Sequence, residues 1–206
     1  MSVNIQLEWT PNPSTLKYVV DTSLLPRGAM NFTSRAVADE KSPLASRLFG
    51  IKGVEAVMLG TNFVTVTKGD AGEWDELNDG VMQTLDAHLT AGDVVVKPEV
   101  LEAWAAAAAA GGGGAMEQRI REILDLEIRP AVAMDGGDIT LDRVENNTVY
   151  LHMQGSCAGC PSSTATLRMG IENALREAVP GVQEVRNVAP APTPAAAAST
   201  ASGRPG

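Results

Sequence analysis

The first half of the chain alternates short strand-like runs with two amphipathic helical segments. Four runs are rich in β-branched and aromatic residues, a composition typical of strands. A Ser-Pro pair at 42–43 is a helix-start signal, and apolar residues recur every three or four positions after residue 73. The predicted elements are strands over 5–8, 16–21, 54–59 and 63–67 and helices over 43–49 and 73–89. This pattern predicts a small α+β domain.

The second half has a different order of elements and no internal repeat of the first. Its first helical stripe is disturbed at Pro130, because proline cannot donate a backbone hydrogen bond. Asn146 and Asn147 separate two strand-like runs, and asparagine tolerates the positive φ of a tight hairpin. The predicted elements are a helix over 116–134, strands over 139–144 and 148–153, a helix over 162–178 and a strand over 182–185. The order α-β-β-α-β predicts a second α+β domain.

Two low-complexity segments set the domain boundaries. Six alanines at 105–110 can prolong a helix begun around 98–104, whereas the four glycines at 111–114 that follow them favour a flexible coil. The last eighteen residues are nearly all Ala, Pro, Ser, Thr and Gly, so they cannot bury enough apolar surface to become ordered. We therefore expect two small domains, 1–97 and 116–188, a flexible linker over 98–115 and a disordered tail over 189–206.

Charge and hydropathy exclude several classes of partner. The chain has 16 basic and 25 acidic residues, a net charge of -9, and no basic cluster that could neutralise phosphates. It has no apolar run near the ~18 residues of a membrane span, and its first residues lack the basic and apolar regions of a signal peptide. We expect a soluble, unexported protein that binds neither nucleic acid nor membrane.

The candidate chemistry lies in the only two cysteines, Cys157 and Cys160, which form one Cys-x-x-Cys motif between a predicted strand and a predicted helix. Two cysteines cannot form a disulfide framework, which indicates a reducing compartment. The N-terminus of the following helix is expected to lower the thiol pKa, and thiolates are what metals bind. Gly155 and Gly159 leave room for backbone N–H groups to approach whatever the sulfurs hold. The loop is typical of a site for an inorganic ligand.

The number of ligands predicts a shared site. Zinc and iron-sulfur centres usually take four protein ligands, and Cys157 and Cys160 supply two. His152 lies on a predicted strand and His88 closes a predicted helix, so structural roles are favoured for both. If two chains bring their loops together, four thiolates meet at a symmetric interface. The residues therefore predict a cluster held between two chains.

Two other interpretations remain open at this point. The cysteines could be small buried hydrophobic residues, although such residues seldom occur as a glycine-flanked pair in a loop. They could also form a thioredoxin-like dithiol oxidoreductase, since that motif likewise precedes a helix. However, no β-α-β unit precedes the motif, and few residues follow it. The segment 135–138, Asp-Gly-Gly-Asp, lacks the ligands of a calcium or phosphate loop and is interpreted as a turn.

Several motifs of the second domain, taken together, resemble the C-terminal domain of NifU, the module that defines the Nfu family. They are Arg129-Pro130, the Asp-Gly-Gly-Asp segment 135–138, Val149-Tyr150-Leu151, the cysteine loop 155–163 and Thr166-Leu167. The first domain is similar to the N-terminal domain of the same family. Its motifs are Thr10-Pro11-Asn12-Pro13, Ser42-Pro43-Leu44, Leu48-Phe49, Gly53-Val54 and Trp74.

This resemblance implies a non-enzymatic iron-sulfur cluster scaffold or carrier. It implies that two chains bind one [4Fe-4S] cluster through Cys157 and Cys160 of each and deliver it to apo-proteins. Upstream cluster-assembly proteins and apo client proteins are then the expected partners, and the N-terminal domain carries no ligands. Mitochondrial relatives would begin with a targeting segment rich in Arg and Ser, whereas here the first domain starts at once. We therefore expect a bacterial cytoplasm or an already processed chain.

Overall fold

The computed structural model describes residues 3–70, 72–109, 114–158 and 161–188, which form two α+β units. The N-terminal unit contains five strands and four helices within these residues. The strands are β1 (Ile5–Trp9), β2 (Thr15–Val20), β3 (Met30–Phe32), β4 (Val54–Leu59) and β5 (Phe63–Lys68). The helices are α1 (Arg35–Lys41), α2 (Pro43–Phe49), α3 (Trp74–Thr90) and α4 (Pro98–Ala109).

The five strands form one antiparallel sheet in the order β1-β2-β5-β4-β3. Successive side chains of a strand point to opposite faces, so each strand contributes alternate residues to the core. Leu16, Tyr18 and Val66 pack with Leu48 and Leu85 of the helices. The helices therefore cover one face of the sheet, and the other face carries the intervening residues.

Two elements of the N-terminal unit, β3 and α1, differ from the sequence prediction. β3 was not predicted, because three residues give no measurable alternation and the strand forms through pairing with β4. α1 was not predicted either, since Ala38 is its one buried residue and no apolar stripe marks it. Within the expected linker, Pro98–Ala109 is a helix, which agrees with the expectation that the alanines prolong a helix begun around 98–104. Residues 110–113 and the expected tail, 189–206, lie outside the described residues.

The C-terminal unit has the predicted α-β-β-α-β order. Its helical part consists of α5 (Ala115–Ile123), a π-helical turn (Leu124–Ile128) and α6 (Arg129–Met134). The remaining elements are β6 (Gly137–Glu145), β7 (Thr148–Gly155), α7 (Pro161–Ala178) and β8 (Glu184–Asn187). β7 pairs antiparallel with β6 and parallel with β8, which begins two residues later than predicted. An α+β fold is thus observed in both units.

Two local predictions for this unit are confirmed. Asn146 and Asn147 adopt positive φ values of 49° and 63° in the β6–β7 turn. The helix is disturbed next to Pro130, where the Arg129 N–H donates to the carbonyl of Leu124 and widens one turn into a π-helix. None of the helices that the structure describes is long and apolar enough to cross a membrane.

Candidate functional site

Cys157 lies in the connection between β7 and α7. β7 ends at Gly155, whose φ of +64° turns the chain away from the sheet, and α7 begins at Pro161. The Ala158 N–H donates to the Gly155 carbonyl at 3.0 Å and closes the turn around Cys157. Gly159 and Cys160 lie outside the described residues, so Cys157 is the one predicted ligand that the structure places.

A second turn, between α6 and β6, holds the cysteine loop. The Ser156 N–H donates to the Gly136 carbonyl at 3.2 Å, and the Ser156 hydroxyl donates to the Asp135 carbonyl. Gly136 has a φ of +74°, a conformation that side chains rarely adopt, which explains a glycine there. Two hydrogen bonds from Ser156 to backbone carbonyls of the second turn therefore hold the position next to Cys157.

The Cys157 side chain is packed inward against the second turn. It is 6% exposed and belongs to the apolar core of the C-terminal unit. A Cβ atom added at Gly137 would lie 2.2 Å from the Cys157 Sγ, so the sulfur occupies space that only a glycine leaves open. Gly137 thus has a specific role that the sequence prediction of a simple turn missed. An adjacent Gly-Gly pair at the start of a buried strand is the signal that could have shown it.

The environment raises the pKa of the Cys157 thiol to about 11. Burial is the main cause, the hydrogen bond with Ser156 opposes it, and the carboxylates of Asp135 and Asp138 add to it. The sequence-based expectation of a lowered pKa is wrong for this conformation, because burial and two nearby acidic groups raise the pKa of the thiol. A metal that binds through this sulfur would have to displace the thiol proton.

A buried ion pair connects the helical part of the unit to β6. Arg129 Nε and Nη2 donate to the two carboxylate oxygens of Asp138 at 2.8 and 3.0 Å, and Nη1 donates to Asp125 at 2.7 Å. Burial raises the pKa of Asp138 although Arg129 opposes that rise. Two parallel hydrogen bonds fix the orientation of both groups. The sequence motifs Arg129-Pro130 and 135–138 contain these two residues, but no sequence pattern predicted that Arg129 and Asp138 form an ion pair.

Both histidines have structural partners, as predicted. His152 lies within 3.0 Å of an Asp142 carboxylate oxygen and 3.2 Å of the Val188 carbonyl. His88 is buried at the end of α3, where its ring contacts Arg47 at 2.9 Å and the Val94 carbonyl at 3.1 Å. Within the described part of the chain, no three His, Cys, Asp or Glu side chains are grouped so that they could hold a metal ion.

The N-terminal unit contacts the loops of this site. Asn12 Nδ2 donates to the Ala158 carbonyl at 3.2 Å, and Thr65 Oγ1 donates to the Gly136 carbonyl at 3.0 Å. Lys17 Nζ donates to the Met134 carbonyl at 3.1 Å. No sequence pattern predicted this arrangement, since hydrogen bonds between distant segments leave no periodic pattern. The candidate site therefore includes surface from both units.

Substituting Gly137 by alanine should destabilise the C-terminal unit by about 1 to 3 kcal/mol, because the new methyl group must displace the Cys157 sulfur. Urea unfolding of the full chain, followed by circular dichroism, measures this change. Gly170→Ala in α7 is the matched control. It adds its methyl group in open space within a helix, so it should leave stability equal or raise it by about 1 kcal/mol. Equal stability of Gly137→Ala and the unmodified protein would show that the Cys157 sulfur is not tightly packed against Gly137.

Each of the two units matches a known family of protein domains. Residues 5–92 match the family described as scaffold protein Nfu/NifU N terminal, and residues 120–186 match the NifU-like domain. Among solved structures, the chain resembles a NifU-like protein of Saccharomyces cerevisiae at 24% identity, with a TM-score of 0.41. That match covers 46% of this chain and 85% of the yeast chain. A Staphylococcus aureus protein, SAV1430, matches at 21% identity with a TM-score of 0.37 over 41% of this chain and 99% of that chain.

Curated relatives match over nearly the whole chain. The human mitochondrial NFU1 iron-sulfur cluster scaffold homolog is 38% identical over 185 residues, which cover 89% of this chain and 71% of the human protein. The protein of the same name from Drosophila virilis is 38% identical over 188 residues, covering 91% of this chain and 62% of the fly protein. The chain belongs to the Nfu family of iron-sulfur cluster scaffold proteins.

Proposed function

We propose that this chain carries a [4Fe-4S] cluster between two copies of itself, through Cys157 and Cys160 of each copy, and delivers the cluster to apo-proteins. The position of Cys157 is the observation that carries this proposal. Its sulfur lies in a glycine-lined turn at a strand–helix junction, within the domain that matches the NifU-like family. Cys160 follows three residues later in the sequence, and thiolates are the usual protein ligands of such clusters.

The chemistry of the site fits a transported cluster better than a reaction centre. In this conformation Cys157 faces inward, so binding the cluster requires its side chain to turn out of the core. This change costs free energy and makes the holo form easier to unload. A carrier benefits from this, because its cargo must leave.

The residues next to Cys157 position the cysteine loop and are not proposed as ligands of the cluster. Ser156 anchors it to the Asp135–Gly136 turn, and the Arg129–Asp138 ion pair holds the strand on which that turn ends. Hydrogen bonds from backbone N–H groups to cluster sulfurs tune such centres, which is a structural role for the loop. The proposed role is that of a scaffold with no catalytic residue.

The proposed partners follow from this role. They are a second copy of the chain, upstream proteins that assemble clusters, and apo iron-sulfur proteins that receive them. The relatives named above are mitochondrial. We propose for this chain a reducing compartment such as the bacterial cytoplasm, because such a compartment keeps both thiols reduced.

Anaerobic purification tests the proposed function directly. A brown protein with iron, acid-labile sulfide and broad visible absorption supports a cluster carrier. A colourless protein with a redox-active Cys157–Cys160 disulfide and insulin-reducing activity would contradict the cluster carrier and indicate a dithiol oxidoreductase instead. Zinc without sulfide would indicate a structural or storage site.

The number of thiols also predicts a change of assembly state. We expect the apo-protein to be a monomer and the loaded protein to be a dimer, since bound cluster supplies the association free energy. Size-exclusion chromatography with in-line light scattering, under anaerobic conditions, measures both masses. Removing the cluster with a chelator should restore the monomer. An apo-protein that is already a stable dimer would contradict cluster-driven association.

A further inference from the structure

One face of the N-terminal sheet is buried although its own unit places no helix there. Lys17, Met58 and Thr65 lie on the face opposite the helices, because their strand neighbours Leu16, Val57 and Val66 belong to the core. These three side chains are nevertheless 8%, 1% and 1% exposed. We call these three residues the outer face. What buries it is the C-terminal unit.

The outer face contacts the two turns that flank Cys157. Thr65 bonds to the Gly136 carbonyl and Lys17 to the Met134 carbonyl, while Asn12, next to the outer face, bonds to the Ala158 carbonyl. The Met58 methyl group lies so close to Gly155 that a Cβ added there would be 2.8 Å away. All four contacts are made to the backbone of residues 134–158. The carbonyls of Gly136 and Ala158, in the two turns next to Cys157, both accept hydrogen bonds from the N-terminal unit.

We propose that the outer face is a docking surface for the Cys157 loop of its own chain, and that it competes there with the second copy of the chain. The competition rests on the proposed function, in which two Cys157 loops meet around one cluster. A partner loop must approach the turns at Gly136 and Ala158 to place its thiolates near Cys157. The docked N-terminal unit occupies the same turns, so the two arrangements exclude each other.

The composition of this contact suits a reversible association. Lys17 and Thr65 are polar, so water can replace their partners when the units separate, and Lys17 keeps its ion pair with Glu8. The contact is also incompletely packed, because a cleft of about 550 Å³ remains between Trp104 and Arg27 on one side and Arg129 and Asp138 on the other. Covalent connection raises the local concentration of the two units, so a weak contact is still populated.

Lysine footprinting of the full-length apo-protein tests the docking. Under brief acetylation, analysed by peptide mass spectrometry, Lys17 should react far more slowly than the exposed Lys52. Thr65→Val removes one hydrogen bond to the C-terminal unit and keeps the shape of the side chain. It should raise the Lys17 acetylation rate about threefold to tenfold, because the rate follows the fraction of open molecules.

Thr67→Val is the matched control. Thr67 lies two residues along the same strand and face, but its hydroxyl bonds to Thr15 within the N-terminal unit, so its loss should leave the Lys17 rate unchanged. Thr65→Glu, which places a charge against the Gly136 carbonyl, is a stronger second variant and should raise the rate further. An unchanged Lys17 rate in both Thr65 variants, with circular dichroism unaltered, would overturn the docking.

The same readout in the loaded protein tests the competition. As cluster occupancy increases, Lys17 acetylation should rise in proportion and approach the rate of the Thr65→Glu apo-protein. A fully loaded dimer in which Lys17 stays protected would overturn the competition. If no cluster binds, the proposed function fails, whereas the apo-protein footprint still decides whether the outer face docks on the loop.

Discussion

Replacing Cys157 with serine or alanine is expected to abolish cluster binding in the full-length protein. Each pair of chains would retain two thiolates where the shared cluster needs four, and neither a hydroxyl nor a methyl group replaces a thiolate as an iron ligand. Cys160→Ala should have the same effect, although this residue lies outside the described part of the chain. Iron and acid-labile sulfide per chain after anaerobic reconstitution measure the loss.

Two controls separate loss of a ligand from loss of structure. Ala158→Ser changes the exposed neighbour of Cys157 and should retain full cluster loading. Because Cys157 is part of the core, its alanine variant should also unfold at slightly lower urea concentration while keeping its circular dichroism spectrum. A single cysteine variant with an intact cluster would contradict the proposed ligand set.

Arg129→Met is expected to destabilise the C-terminal unit by about 2 to 4 kcal/mol. Asp138 is 5% exposed at its side chain, and without Arg129 its carboxylate would be buried with no opposite charge within bonding distance. Urea unfolding at neutral pH measures the change. Arg119→Met is the matched control, because the exposed Arg119–Glu122 pair should contribute about 0.5 kcal/mol or less.

A double variant tests the reason for this effect. Arg129→Met with Asp138→Asn removes both charges together, so it should recover a large part of the lost stability. A double variant less stable than Arg129→Met alone would show that Asp138 is stabilised by groups other than Arg129.

The fold could be predicted where local chemistry decides the structure. The Ser42-Pro43 pair starts α2 as expected, and the Ser42 side chain accepts the Ala45 N–H at 3.1 Å. The asparagine turn between β6 and β7 follows from the tolerance of asparagine for positive φ. In contrast, β3 exists only through its pairing with β4, so its three residues carry too little information on their own.

The position of Cys157 between a strand and a helix could be predicted from the sequence, but its environment could not. The Cys-x-x-Cys spacing and the flanking glycines locate Cys157 at the strand–helix junction, where it is observed. Its burial, its raised pKa and its contact with Gly137 depend on segments that are distant in sequence. The bonds from Asn12 and Thr65 to the same turns are longer-range still, and no local pattern encodes them.

Native mass spectrometry of the anaerobically reconstituted full-length protein tests the central claim most directly. It weighs the intact assembly and its cargo together, so it reads chain number and cluster composition in one measurement. We expect a dimer whose mass exceeds that of two chains by one [4Fe-4S] cluster, with monomers free of iron. A monomer that carries a complete cluster, or a dimer without iron and sulfide, would contradict it.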